Sequence, residues 1–74
     1  MNNQETITAE TLELLLMNQT CIRAALEELS LWVSYRGSIH THENVMVTLA
    51  SLDVNSEAIL SGIDRLRSAK DGTI

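Results

Sequence analysis

The stretch LWVSYRGSIHTHEN, residues 31–44, decides the fold. It passes from an apolar helical run through Arg36 into Gly37 and then a hydroxyl-rich segment, in a chain of 74 residues that contains no proline. Glycine is the residue best able to take the left-handed conformation that closes a helix, so Gly37 predicts a stop. Ser38 or Thr41 can cap a second helix, and Glu43 in its first turn suits the positive end of that helix dipole. Helices joined by so short a connection lie antiparallel.

Upstream of this turn the helical pattern runs back from Arg36 without a breaker. Ile7 and Leu12 flank Thr8 at the spacing of a hydrophobic staple, which places an N-cap at Thr8 and the helix start near Ala9, with Glu10 and Glu13 in the first turns. Downstream, the second helix continues to about Lys70; Arg65, Arg67 and Lys70 suit its negative end and Gly72 terminates it. The prediction is an all-α, antiparallel two-helix hairpin with helices at about 9–36 and 41–70. It forms one domain over 1–74, with 1–7 and 72–74 frayed. Each helix is then roughly 42 Å long at 1.5 Å per residue.

Composition points the same way. The hydrophobic fraction is 45%, with Trp32 and Tyr35 the only aromatic residues, so the apolar content is mostly Leu, Ile, Val, Met and Ala. Leu, Met and Ala lose little freedom in a helix. Cys21 is the single cysteine, which rules out an intramolecular disulfide and fits a reducing compartment. A net charge of -5 and a pI near 4.7 disfavour a surface that tracks nucleic-acid phosphates. The richest apolar stretch, Leu12 to Met17, is too short to span a bilayer, and the polar first residues lack the features of a signal peptide. A cytoplasmic protein without a membrane segment is expected.

In helix one, Leu12, Leu15, Gln19, Ile22, Leu26, Leu29 and Val33 recur in alternating steps of three and four, the spacing of a heptad seam. Val45, Leu49, Leu52, Ser56, Ile59, Ile63 and Leu66 do the same in helix two. Pairing the seams about Gly37 sets Val33 near Val45, Leu26 near Leu52 and Leu12 near Leu66. The charges agree: Glu10 and Glu13 approach Arg65, Arg67 and Lys70, Arg23 approaches Asp53 and Glu57, and Arg36 approaches Glu43. Gln19 and Ser56 interrupt the two seams near their middles. They either fix register or sit at a solvent-exposed shoulder, and both readings remain open.

Helix one carries another seam on its far side, formed by Leu14, Met17, Cys21, Ala24, Glu28, Leu31 and Tyr35, and one neighbouring helix cannot cover both. Leu16 and Trp32 widen the uncovered area. Leu14, Met17, Cys21, Ala24, Leu31, Trp32 and Tyr35 are therefore the predicted oligomer or partner interface. Helix two mixes Met46, Val47, Ala50, Val54, Ala58 and Leu60 with Asp53, Glu57 and Asp64, which assigns it to the outside. Its Ala58, Ser61 and Gly62 form a small-residue patch that another helix could approach. A chain of this length rarely supplies a sufficient core alone, and the simplest remedy is a dimeric four-helix bundle with helix one at the centre.

Catalysis has no support in the sequence. His40, His42 and Glu43 could ligate a metal, but an i, i+2 pair on a helix diverges and a polar turn is the commoner explanation. Cys21 reads as a small covered hydrophobe rather than a reactive thiol. Asp53 and Glu57 read as a solvated acidic face within reach of Arg23. The chain has no glycine-rich phosphate loop, nucleophile motif or metalloprotease helix, so no enzyme activity, cofactor, metal or small-molecule substrate is expected.

The expected function is a small, self-associating interaction module that binds itself, and a further protein, as adaptor, small chaperone or inhibitor. The alternative is a dimeric helical-hairpin regulator linked to nucleic acid. That architecture, though no residue motif, resembles plasmid copy-number regulators, and Arg65, Arg67 and Lys70 form its only basic cluster.

Overall fold

A computed structural model describes residues 3–71, with side-chain surroundings described through 68. The chain forms two helices of 33 residues each, α1 (Asn3–Tyr35) and α2 (Ile39–Asp71), packed against each other as an antiparallel hairpin. Gly72 and the surroundings of Lys70 lie outside the described residues.

The turn forms as the glycine predicts. Gly37 has φ 103°, the left-handed region. Its N–H donates to the Ser34 carbonyl at 3.0 Å, and the Ser38 N–H donates to the Val33 carbonyl at 3.2 Å. These are the two bonds of a Schellman motif, and they satisfy carbonyls that the end of α1 would otherwise leave open. Ser38 then starts α2. Its carbonyl accepts from the His42 N–H at 3.3 Å, and its hydroxyl donates to Thr41 Oγ1 at 2.8 Å. The helix thus begins at Ile39 rather than Thr41.

α1 also begins earlier than predicted, at Asn3 instead of near Ala9, so residues 3–7 are helical rather than frayed. The reason is visible at Thr8. Its hydroxyl donates to the Gln4 carbonyl at 2.7 Å inside the helix instead of capping a free N–H. Glu5 occupies the first turn, where a carboxylate favours the dipole.

The α2 seam faces α1 as read from the sequence: Leu49 and Ile63 are buried, and Val45, Leu52, Ser56, Ile59 and Leu66 are half-buried. The α1 seam is different. Leu12, Gln19 and Val33 do face α2, but the rest of the contact row is Ala9, Leu16, Arg23 and Ser30. Leu15, Ile22 and Leu29 are 58%, 59% and 60% exposed, and Leu26 is 44% exposed. The contact stripe of α1 is therefore rotated by about 50° from the predicted seam, half of the 100° step between successive residues. The cause is the partners available to the inner row. Arg23 and Ser30 each bond a side chain of α2, whereas the leucines need only be dry and gain nothing specific from this neighbour.

Because Gly37 holds a positive φ, Gly37→Ala places a Cβ in a conformation that L-residues disfavour. The expected result is a loss of about 1–2 kcal/mol in urea or thermal unfolding followed by circular dichroism.

Candidate functional site

The ion pairs that cross between the two helices lie on one face of the hairpin. On that face, Arg23 Nε lies 2.6 Å from Asp53 Oδ1 and its Nη2 lies 2.9 Å from Oδ2, a bidentate pair across the helices. Its Nη1 donates to Glu27 at 2.8 Å, one turn along α1. Arg67 pairs with Glu13 toward the far end of the hairpin. The bond to Arg23 lowers the Asp53 pKa from the ordinary carboxylate value. The bond to Asp53, followed by that to Glu27, raises the Arg23 pKa.

Two of the predicted charge groupings therefore meet, with Glu27 in place of Glu57 as the second partner of Arg23. Arg36 does not pair with Glu43. Its guanidinium lies over the Trp32 ring, 5.6 Å from the centroid, while Glu43 lies 3.6 Å from His40 Nδ1.

Between the faces runs a seam that is polar through its middle. Gln19 Nε2 donates to Ser56 Oγ at 2.9 Å, and Ser56 Oγ donates to the Leu52 carbonyl at 3.0 Å. The two side chains thus partner each other across a half-buried seam rather than standing at a solvent-exposed shoulder. Nearer the turn, the buried Ser30 hydroxyl lies 2.8 Å from His42 Nδ1.

That contact separates the histidines. His42 faces α1 while His40 is exposed beside Glu43, and no group of three or more possible metal ligands occurs among the described residues. Sequence reasoning missed the Ser30 to His42 link. The available signal was that Ala9, Leu16, Arg23 and Ser30 stand seven residues apart and so share one row of a heptad.

The other face carries a groove of about 700 Å³, formed chiefly by Leu15, Ile22 and Leu26 of α1 against Thr48, Leu49 and Leu52 of α2. It continues toward the turn along Thr41, Asn44 and Val45. No residue lining either stretch is charged.

The predicted interface residues remain in solvent in the single hairpin. Leu14, Met17, Leu31, Trp32 and Tyr35 are exposed large apolar side chains, and Ala24 and Cys21 are exposed as well, so the hairpin does not cover that thiol. α1 consequently presents two apolar surfaces: the groove side, and the far stripe read from the sequence. The chain matches no protein-family model, no curated protein and no solved structure.

The lowered Asp53 pKa gives a signed expectation. Its ionised form is favoured in the fold, so its contribution is complete above the unfolded carboxylate range and is lost as pH falls through that range and below it. Asp53→Asn should therefore lower the unfolding midpoint slightly at pH 7. Wild type and variant should converge when the same melts are repeated in increasingly acidic buffer below about pH 4.

Proposed function

We propose that this chain is a non-enzymatic helical interaction module that works as a self-associated assembly, a dimeric four-helix bundle, and acts on another protein as adaptor, small chaperone or inhibitor. One observation carries the reading. Among the described residues, the buried apolar side chains are Ala9, Leu49 and Ile63, while exposed large ones include Leu14, Leu15, Ile22, Leu29, Trp32 and Val54. Apolar surface on that scale marks contact with another macromolecule.

The shape supports it as well. The hairpin measures 56 × 16 × 10 Å, with a radius of gyration of 16.9 Å against about 11 Å for a compact domain of this length. A rod one helix thick has no interior beyond the line where its two helices touch. Among the described residues no helix is long and apolar enough to cross a membrane. Another protein surface is the natural cover, and a reducing compartment such as the cytoplasm suits the exposed lone Cys21. The net charge of -5 keeps such a surface soluble while it awaits a partner.

Sedimentation equilibrium of the purified chain at micromolar concentration should give a mass of at least two chains. A well-folded species at the mass of one chain, without ligand, would contradict the proposal.

A further inference from the structure

Building on the self-association proposed above, we infer that the face that carries the groove is where a second copy of the chain docks, and that α1 of each copy lies over α2 of the other with both turns at the same end.

Charge is distributed unevenly around the hairpin. The groove is lined by Leu15, Asn18 and Ile22 of α1 and by Thr41, Asn44 and Thr48 of α2; heptad spacing continues these rows through Ala25, Leu29 and Trp32 on α1, and through Ser51, Asn55, Ala58 and Gly62 on α2. The sequence has ten acidic and five basic residues. None stands among the residues named, and the cross-helix ion pairs of Arg23 and Glu13 lie on the opposite face; charge meets this face at its margins, where Glu28 borders Ala25, Leu29 and Trp32, Arg36 lies over Trp32 and Arg65 follows Ala58 in its row. Two copies of an acidic chain repel wherever like charges meet. A face whose central groove is lined by no charged residue suits an identical chain better than a basic partner, which would be drawn to the acidic side.

The single chain exposes 5534 Å², whereas a folded monomer of its mass exposes about 4500 Å². The excess, about 1000 Å² over the whole elongated hairpin, is enough in total to supply the roughly 800 Å² that each partner contributes to a standard stable interface.

Side-chain size then chooses the orientation. The α1 rows carry bulky Leu, Ile and Trp, and the α2 rows carry Thr, Asn, Ser, Ala and Gly. A two-fold axis along the bundle sets large against small, whereas an axis across it sets large against large and leaves the small rows facing each other. The bonds Gln19 to Ser56 and Arg23 to Asp53 put Ile22 level with the middle of α2. In the chosen arrangement Ile22 of one copy therefore meets Ser51 and Asn55 of the other, Leu29 meets Asn44 and Thr48, and Leu15 meets Ala58 and Gly62. At Gly62 nothing lies within 4 Å of where a Cβ would stand, so the space is open to receive a side chain. Thr48 is ready to be covered, because its hydroxyl already donates to the Asn44 carbonyl at 3.1 Å.

The test compares three variants by sedimentation. Ile22→Glu and Thr48→Glu add a charge to this face at positions that are exposed in the hairpin. Glu is a better helix former than Thr, so Thr48→Glu keeps its helicity by circular dichroism. Both should weaken association by about 100-fold or more, since each buries an unpaired carboxylate at the contact. Leu14→Glu with Leu31→Glu, on the far stripe, should remain dimeric with affinity close to wild type.

Dissociation by the far-stripe pair, with Thr48→Glu and Ile22→Glu still dimeric, would overturn this face while leaving self-association intact. A monomeric wild-type chain would remove both. For the orientation, Leu29→Cys and Asn44→Cys proteins, each in a Cys21→Ser background, are mixed and oxidised. A predominant mixed disulfide is expected. Efficient self-crosslinking of Ile22→Cys, without the mixed product, would overturn the arrangement with both turns at one end.

Discussion

A helix packed against a single neighbour can hide one stripe of its surface, and in this hairpin the stripe of α1 that is hidden is not its most apolar one. Ala9, Leu12, Leu16, Gln19, Arg23, Ser30 and Val33 face α2, while Leu15, Ile22 and Leu29 stay in water. Apolar burial is the principal stabilising term in folding. Ordering more than sixty helical residues opposes it at about 1–2 kcal/mol each. A contact line that is polar at Gln19, Arg23 and Ser30 is poorly suited to offset that cost, so the unsatisfied apolar rows govern how the molecule is understood.

The polar seam supplies specificity instead. Gln19 with Ser56, Arg23 with Asp53 and Ser30 with His42 link α1 to α2 at successive levels. Sliding one helix by a turn would break all three, leaving a buried hydroxyl and a half-buried amide without partners. Exposed ion pairs contribute little free energy, but in this geometry they select one register and one rotation of α1. The rotation they select aims the leucine row outward, along with the small-residue rows of α2. A pairing that is modest in energy thereby creates the surface proposed for the second copy.

The place of the turn was legible, because Gly37 followed by Ser38 has few structural alternatives after a long helical run, although α2 begins two residues earlier than read and Arg36 does not reach Glu43. The α2 seam was legible for a related reason: Leu49, Leu52, Ile59 and Ile63 form its one strong apolar stripe. The pairings of Glu13 with Arg67 and Arg23 with Asp53 followed from the same register. The rotation of α1 was not legible, since that helix has leucine-rich rows on several sides and periodicity alone ranks them by apolarity. What decided it was hydrogen bonding by Arg23 and Ser30, which a pattern of hydrophobic residues treats as interruptions. The start of α1 was missed because Thr8 can cap a helix or bond back to the preceding turn, and a single sequence shows only the residue type.

If the proposed self-association holds, folding and association are one process in this chain. Thermal unfolding of the helices, followed by circular dichroism over a hundredfold range of protein concentration, tests it most directly. If the folded hairpin is stabilised by a second copy, mass action requires the unfolding midpoint to rise steadily with concentration. A midpoint that stays constant across the whole range would show that the single hairpin is stable on its own and would contradict the account.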